Sequence, residues 1–407
     1  MVHQEIKRTK PHAAGHLKSR VLFFLPTIGG YVDRVRLMME VSRSLDECVL
    51  LVGREDIDLD TTEFTGFRVV DVGFRKGLRP YNMLQASRIA ESLIRHAGVN
   101  VVHDTFGTLY PLFRKKARYP DVSFLTSVFG PVGWRLRHVF NQFSAARLLS
   151  TKSTAVMLPN QWIENLICKN SDRVVVQAPG LTMRLLETVD IPHSRVSVLT
   201  NSVDTDFWCP DPAGSRPQTR DGCVILFVGG LDHSRGIFTM LEVVRSLHEK
   251  GTAARLKLVG GWGPFAKKLA LERIESYGIG PEIEIVPKTS RERLREMYRE
   301  ADLFLYQTIN DGSPRVVLEA VACGLPVIAS HHPGIDVIDP DGDFIAFNDF
   351  GDTERIVIHV RDLIQRPRRR LQMVERGRQS AINRFSASVV ARRYVELYAE
   401  ITGASAS

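Results

Sequence analysis

Short apolar runs and longer amphipathic stretches alternate along this chain from near its start to its last thirty residues. Runs of strand length stand at 21–25 (VLFFL), 48–52 (CVLLV), 67–72, 100–103, 122–126, 173–177 and 195–200. A second series follows at 223–230 (CVILFVGG), 255–261, 282–286, 302–306 (DLFLY), 325–329 and 343–347. Apolar strands separated by helix-length segments predict a mostly parallel sheet covered on both faces, an α/β fold. Two such series predict two doubly wound, Rossmann-like domains, and 407 residues are enough for two cores. Ligands of open α/β sheets bind at the carboxyl ends of the strands, so the two domains are expected to face a central cleft.

Residues 209–222 (CPDPAGSRPQTRDG) interrupt the pattern and predict a linker. The expected organisation is a basic tail over 1–19, a first domain over 20–208, the linker, and a second domain over 223–385. A helix over 386–407, with Val389, Val390, Tyr394, Leu397 and Tyr398 on one stripe, is expected to return to the first domain. Residues 129–167 also depart from the rhythm, with Trp134, Phe140, Phe143 and Trp162 interleaved among Arg135, Arg137, His138 and Arg147. Such a segment can lie on an anionic membrane surface or pack as a helix pair with its charges in water; the second reading is the more ordinary.

Composition adds limits. Five scattered cysteines without a Cys-x-x-Cys pair argue against a disulfide framework and a zinc site. No apolar run reaches bilayer-spanning length, and the basic N-terminal residues are not followed by the apolar h-region of a secretory signal. A cytoplasmic protein is expected, with contact at the cytoplasmic membrane face open. The formal charge of +8 gathers in the first twenty residues, at Arg114–Arg118, and at Arg366–Arg370. Those patches are dispersed and match no nucleic-acid module, so nucleic acid is not an expected partner.

The chemistry concentrates at residues 310–330 (NDGSPRVVLEAVACGLPVIAS). Ser313 is a favourable N-cap and Pro314 suits the first helical position. Glu319 lies among apolar neighbours, so it must be paired or face a cavity. Asp311 precedes the helix, whose free N–H groups suit a phosphate. Arg315 in the first turn opposes the helix dipole. Either it points away from the helix end, or an anion sits between them.

This corner resembles the paired-acid motif of glycosyltransferase family 4, with Asp311-Gly312-Ser313-Pro314 leading to Glu319 and then Cys323-Gly324-Leu325-Pro326-Val327. Residues 224–236 (VILFVGGLDHSRG) are similar to that family's G-R-L-x-x-x-K-G segment, with Arg235 at its Lys position and Gly230 at its Arg position. The stretches 195–211, 258–264, 330–338 and 384–398 carry weaker likeness. The resemblance implies a GT-B fold, an acceptor-side first domain, and a donor domain that takes a nucleotide-diphosphate sugar, for instance a UDP-sugar. It implies catalytic roles for Asp311, Glu319 and Arg235. Donor binding would fall to Gly29, Gly30, Gly229, Arg235, Gly312, Ser313, Arg315 and Glu319, with Glu319 on the ribose and Arg235 on the diphosphate. It further implies a hexosyltransferase-type reaction with retention, needing no metal and no cofactor beyond the donor substrate.

The acceptor side is less determined. Gly29-Gly30 follow the first strand, where the family has glycines, while Val128 stands where the family commonly has histidine. His103, Asp104 and His138 are the remaining candidates there. The basic clusters suit a glycan or lipid-linked acceptor, in surface-polysaccharide or glycolipid synthesis, with peripheral contact to anionic membrane. Two rivals share the scaffold: a sugar-nucleotide epimerase or hydrolase, and a non-catalytic nucleotide- or glycan-binding homologue.

Overall fold

In each of two units the chain lays down three neighbouring parallel strands in one direction, then crosses back to continue the sheet on the other side of the first. The computed structural model describes residues 17–27, 32–54, 68–74, 79–105, 107–132, 152–212, 222–263, 266–309 and 311–403. The first unit comprises residues 1–202 and 387–407, and the second 203–386.

The first unit holds β1 (Leu17–Thr27), β2 (Leu45–Arg54), β3 (Arg68–Asp71), β4 (Val101–Asp104), β5 (Ser123–Val128), β6 (Arg173–Val176) and β7 (Val196–Val198). Their order in the sheet is β3-β2-β1-β4-β5-β6-β7. The second holds β8 (Cys223–Val228), β9 (Ala254–Val259), β10 (Ile283–Val286), β11 (Leu303–Tyr306), β12 (Val327–Ser330) and β13 (Ile345–Asn348). Its order is β10-β9-β8-β11-β12-β13. All neighbouring strands of both sheets are parallel. Helices on both faces explain why the inner strands are apolar on both sides: Val21–Leu25 of β1 and Ile225–Phe227 of β8 are wholly buried. Each order reverses direction once, between β1 and β4 and between β8 and β11, and these two switch points are where loops splay apart to leave a crevice.

The division between units falls at Ser202/Val203, ahead of the proline- and glycine-rich stretch. Residues 203–212 are fastened to the second unit by arginines. Arg291, Arg295 and Arg299 recur every fourth residue on helix Arg291–Glu300 and so share one face. The Arg291 and Arg295 guanidiniums lie 4.4 and 4.5 Å from the Phe207 ring centre. Arg299 Nε donates to the Cys209 carbonyl at 2.9 Å. Arg378 donates to the carbonyls of Thr205 and Trp208 at 2.8 and 2.9 Å, and Trp208 is buried. Residues 213–221 lie outside the described residues.

Helix Ala387–Thr402 belongs to the first unit. It buries Val390, Tyr394, Leu397 and Tyr398 in the same apolar cluster as β1 and helix Val32–Ser42. Of the 129–167 segment, residues 133–151 are outside the described residues, and Lys152–Lys169 form a helix. In the Arg114–Arg118 cluster, Lys115 pairs with Glu91 at 3.0 Å and Lys116 with Asp172, so half of that basic run is neutralised within the unit. Among the described residues, no helix is long and apolar enough to cross a membrane.

Candidate active site

The crevice of the second sheet is built by the loops that leave β8 and β11. After β8 the chain passes Gly229 and Gly230, makes a tight turn through His233–Arg235, and enters helix Ile237–Glu249 at Gly236. Gly236 has φ 66°, and a Cβ there would stand 2.5 Å from the Cβ of Gln307, just past β11. A glycine is therefore required for the two loops to approach so closely. That approach puts Arg235 beside the residues that leave β11.

Past β11 the chain runs through Gln307 and Thr308 to Asp311, Gly312 and Ser313, then into helix Arg315–Ala322. The helix starts one residue later than expected: Pro314 occupies the cap position with no side-chain cap bond, and Ser313 precedes it. Proline's fixed φ suits either place, but its ψ of 113° here keeps it extended. The turn is buttressed from β12. Gly334 lies so close beneath it that a Cβ would stand 2.1 Å from the Gly312 carbonyl oxygen. The Asp311 amide points at His332 Nε2 at 3.3 Å. Ser330 Oγ accepts from the Thr308 amide at 2.9 Å.

Across the switch point Arg235 and Asp311 form an ion pair, with Arg235 Nη1 donating to Asp311 Oδ2. The Tyr306 hydroxyl donates to the same Oδ2 at 2.7 Å and accepts from Arg235 Nη1. Asp311 Oδ1 accepts the Gly312 amide at 2.7 Å. The two charged side chains remain 26% and 20% exposed, so the pair is reachable from outside. Burial works to raise the Asp311 carboxyl, but Arg235, Tyr306 and the Gly312 N–H outweigh it and hold it below the usual carboxylate range. Burial likewise opposes the Arg235 charge, and the Tyr306 and Asp311 oxygens more than compensate.

Glu319 sits in the middle of its helix at 6% exposure, with Oε2 accepting the Tyr298 hydroxyl at 3.0 Å. Arg315 opens that helix and is half-buried. The expected donor residues Gly229, Arg235, Asp311, Gly312, Ser313, Arg315 and Glu319 thus all stand on the loops and helix beyond the ends of β8 and β11. Tyr306, Tyr298 and His332 join them without having been expected. A tyrosine closing a buried strand reads as core, and nothing local reveals where its hydroxyl points.

The acceptor-side candidates fare differently. Gly29, Gly30 and His138 lie outside the described residues. His103 and Asp104 were expected at an accessible strand edge, yet both are fully buried. His103 is bonded at 2.8 Å to Tyr398 Oη through Nδ1 and at 2.8 Å to Ser127 Oγ through Nε2. Asp104 Oδ2 accepts the Leu109 amide at 2.8 Å. Burial, with a smaller push from Arg34, lowers the imidazole to about 3, so it is neutral and structural. Val128 ends β5 at 5% exposure. No cluster of three or more metal-ligating side chains stands among the described residues.

Residues 216–380 match the family described as glycosyl transferases group 1. A D-inositol 3-phosphate glycosyltransferase of Corynebacterium kroppenstedtii is 26% identical over 291 residues, 66% of this chain and 64% of that protein. The chain therefore spans a little under two thirds of that relative's length. Sucrose-phosphate synthase from Thermosynechococcus elongatus superposes with TM-score 0.74 at 18% identity, covering 95% of this chain and all of that one. An Anabaena protein solved in complex with UDP-glucose gives TM-score 0.72 at 13% identity, again over 95% of this chain and all of that one. At those identities the superpositions establish the fold, which is the GT-B architecture of two Rossmann-like units.

Proposed function

We propose that this chain, whose residues 216–380 match the group 1 glycosyltransferases, moves a hexose from a nucleotide-diphosphate sugar to an acceptor hydroxyl with retention of configuration. The observation that carries this reading is the meeting of Arg235 and Asp311 at the β8/β11 switch point, partly open to solvent. The reaction expels a nucleoside diphosphate from an anomeric carbon, so the largest catalytic need is stabilisation of negative charge on the leaving phosphate. Arg235 is a permanently charged, forked donor suited to phosphate oxygens. The first turn of helix Arg315–Ala322 adds N–H groups and Arg315 from the other side. Asp311 would take a sugar hydroxyl and Glu319 the ribose.

With Arg235 as the cation, the proposed step needs no metal. His103 and Asp104 are sealed in their own core, so neither is the base in this proposal, in which the departing phosphate takes the acceptor proton. UDP-sugars are the first donor class to examine, because the Anabaena neighbour was solved with UDP-glucose. A glycan or lipid-linked acceptor, met at an anionic membrane surface, is the acceptor reading the basic clusters favour.

Thermal unfolding of the wild type and Glu319→Ala with UDP, GDP, ADP, CDP and dTDP tests the donor half. A nucleotide at a hundred times its dissociation constant should stabilise the wild type by about 2.7 kcal/mol, with the response lost in the variant. Nucleotide release that occurs only when acceptor is added would separate transfer from binding alone. If no nucleotide stabilises the wild type, the donor reading is wrong.

A further inference from the structure

Both candidate acids of the donor site are met by a tyrosine hydroxyl, and both tyrosines pack on one phenylalanine. Tyr298 lies 5.7 Å from Phe304 between ring centres and donates to Glu319. Tyr306 stacks on Phe304 and on Phe227, each at 6.0 Å, and donates to Asp311. The second case is unusual in one respect. The Tyr306 oxygen stands between the two charged partners, accepting from Arg235 Nη1 while donating to Asp311 Oδ2. Arg235 Nη1 also donates directly to that carboxylate oxygen, which closes a three-membered ring of contacts.

Such a ring constrains more than an ion pair does. An exposed Arg–Asp pair joined through one oxygen can pivot about it, and long side chains lose entropy to be held still. A third contact from a ring wedged between two phenylalanines removes that freedom. It also occupies Oδ2 fully and leaves the spare lone pair of the carboxylate on Oδ1, beside the Gly312 amide. We propose that Tyr306 is a positioning residue of the donor site, its hydroxyl holding the Arg235 guanidinium and the Asp311 carboxylate in one fixed geometry so that the diphosphate meets a pre-aimed cation and the sugar meets Oδ1. This rests on the donor reading of the same crevice. The lowered Asp311 titration, to which Tyr306 contributes, agrees with the contact geometry.

The test is Tyr306→Phe, which keeps the stacked ring and removes only the hydroxyl. Carbon NMR of the Asp311 carboxyl, without ligand, should show its titration midpoint rising by about one to two pH units in the variant, the worth of one hydrogen bond to a charged group. Affinity for UDP-glucose, which carries the sugar that Oδ1 would meet, should fall about tenfold at neutral pH, and the acid-side break in its pH dependence should move up by the same interval as the carboxyl. In an Asp311→Asn background the added Tyr306→Phe change should cost much less than it does alone, because the two act as one unit. An unmoved carboxyl midpoint, additive losses, or a variant that does not fold would each overturn the proposal and make the hydroxyl part of the fold alone. If UDP-glucose binds neither protein, the donor reading fails, while the ligand-free titration still decides the role of Tyr306.

Discussion

The two sheets present the same topological crevice and treat it in opposite ways. In the first unit, the histidine near the end of β4 is covered by the chain's own last helix: Tyr398 reaches back across 295 residues to His103. The imidazole lies between Tyr398 and Ser127, with the Phe23 ring edge-on at 4.9 Å, and carries no charge. In the second, the position after β11 holds a charged pair that keeps about a quarter of its side-chain surface in contact with solvent. A polar residue at the carboxyl end of a parallel strand is therefore not in itself a site. What separates core from site is whether the side chain is neutral and enclosed or charged and reachable.

Removing the charge from the open crevice should have the largest consequence. Arg235→Ala is expected to lower kcat/KM by about 10²–10³-fold, the usual loss when one preorganised donor to a developing anion is removed. Its cost to folding should be smaller than this, because the Asp311 carboxylate keeps the Tyr306 hydroxyl and the Gly312 amide as donors. Steady-state kinetics beside a denaturation curve will show whether the two effects part in this way. Comparable losses in both would place Arg235 with the structural residues, as His103 is placed in the first unit.

The enclosed crevice should instead reveal itself through acid. Burial holds His103 at about 3 when folded, against an ordinary 6.5. The unfolded chain therefore binds the extra proton between those values. Its neutral form contributes stability that is whole above about pH 6.5 and is lost as pH falls towards 3, at up to about 1.4 kcal/mol per pH unit. The groups facing the ring are Tyr394, Tyr398, Ser127 and Arg34, and the last adds a repulsive charge. Hydrogen exchange at β4 and β5 amides should show wild-type protection falling more steeply below pH 6 than in His103→Gln, which cannot titrate. Parallel slopes in the two proteins would mean that the acid sensitivity comes from elsewhere.

How much of this could be read beforehand differs between the two crevices for a physical reason. The strands were legible because a buried parallel strand must be apolar on both faces, as VLFFL and CVILFV are. The placement of Arg235, Asp311 and Glu319 beyond the ends of β8 and β11 was legible because their setting is local: a strand end, a tight turn and a helix start within twenty residues. Tyr306 was not, since its ring satisfies the hydrophobic pattern and its hydroxyl acquires meaning only when the β8 loop arrives. His103 was misplaced because the helix that covers it comes from the far end of the chain, and Asp104 because it turns back on the following loop to the Leu109 amide. The arginine face over Phe207 was hidden likewise, and with it the attachment of residues 203–212 to the second unit.

The smallest expected effect bears on Arg315, and its value lies in two signs that oppose each other. A cation in the first turn of a helix is disfavoured by roughly 0.3–1 kcal/mol through the helix dipole. Arg315→Ala should therefore leave ligand-free stability unchanged or slightly raised, unlike the loss of an arginine whose work is packing. If its charge instead serves a phosphate held at the helix start, UDP affinity should fall about two- to fivefold, equal to roughly 0.4–1 kcal/mol. Melting without ligand and calorimetry with UDP read the two quantities separately. Lower stability with unchanged affinity would remove Arg315 from the donor site. Arg235 would then be left as the cation at the leaving phosphate, with the helix N–H groups facing it alone.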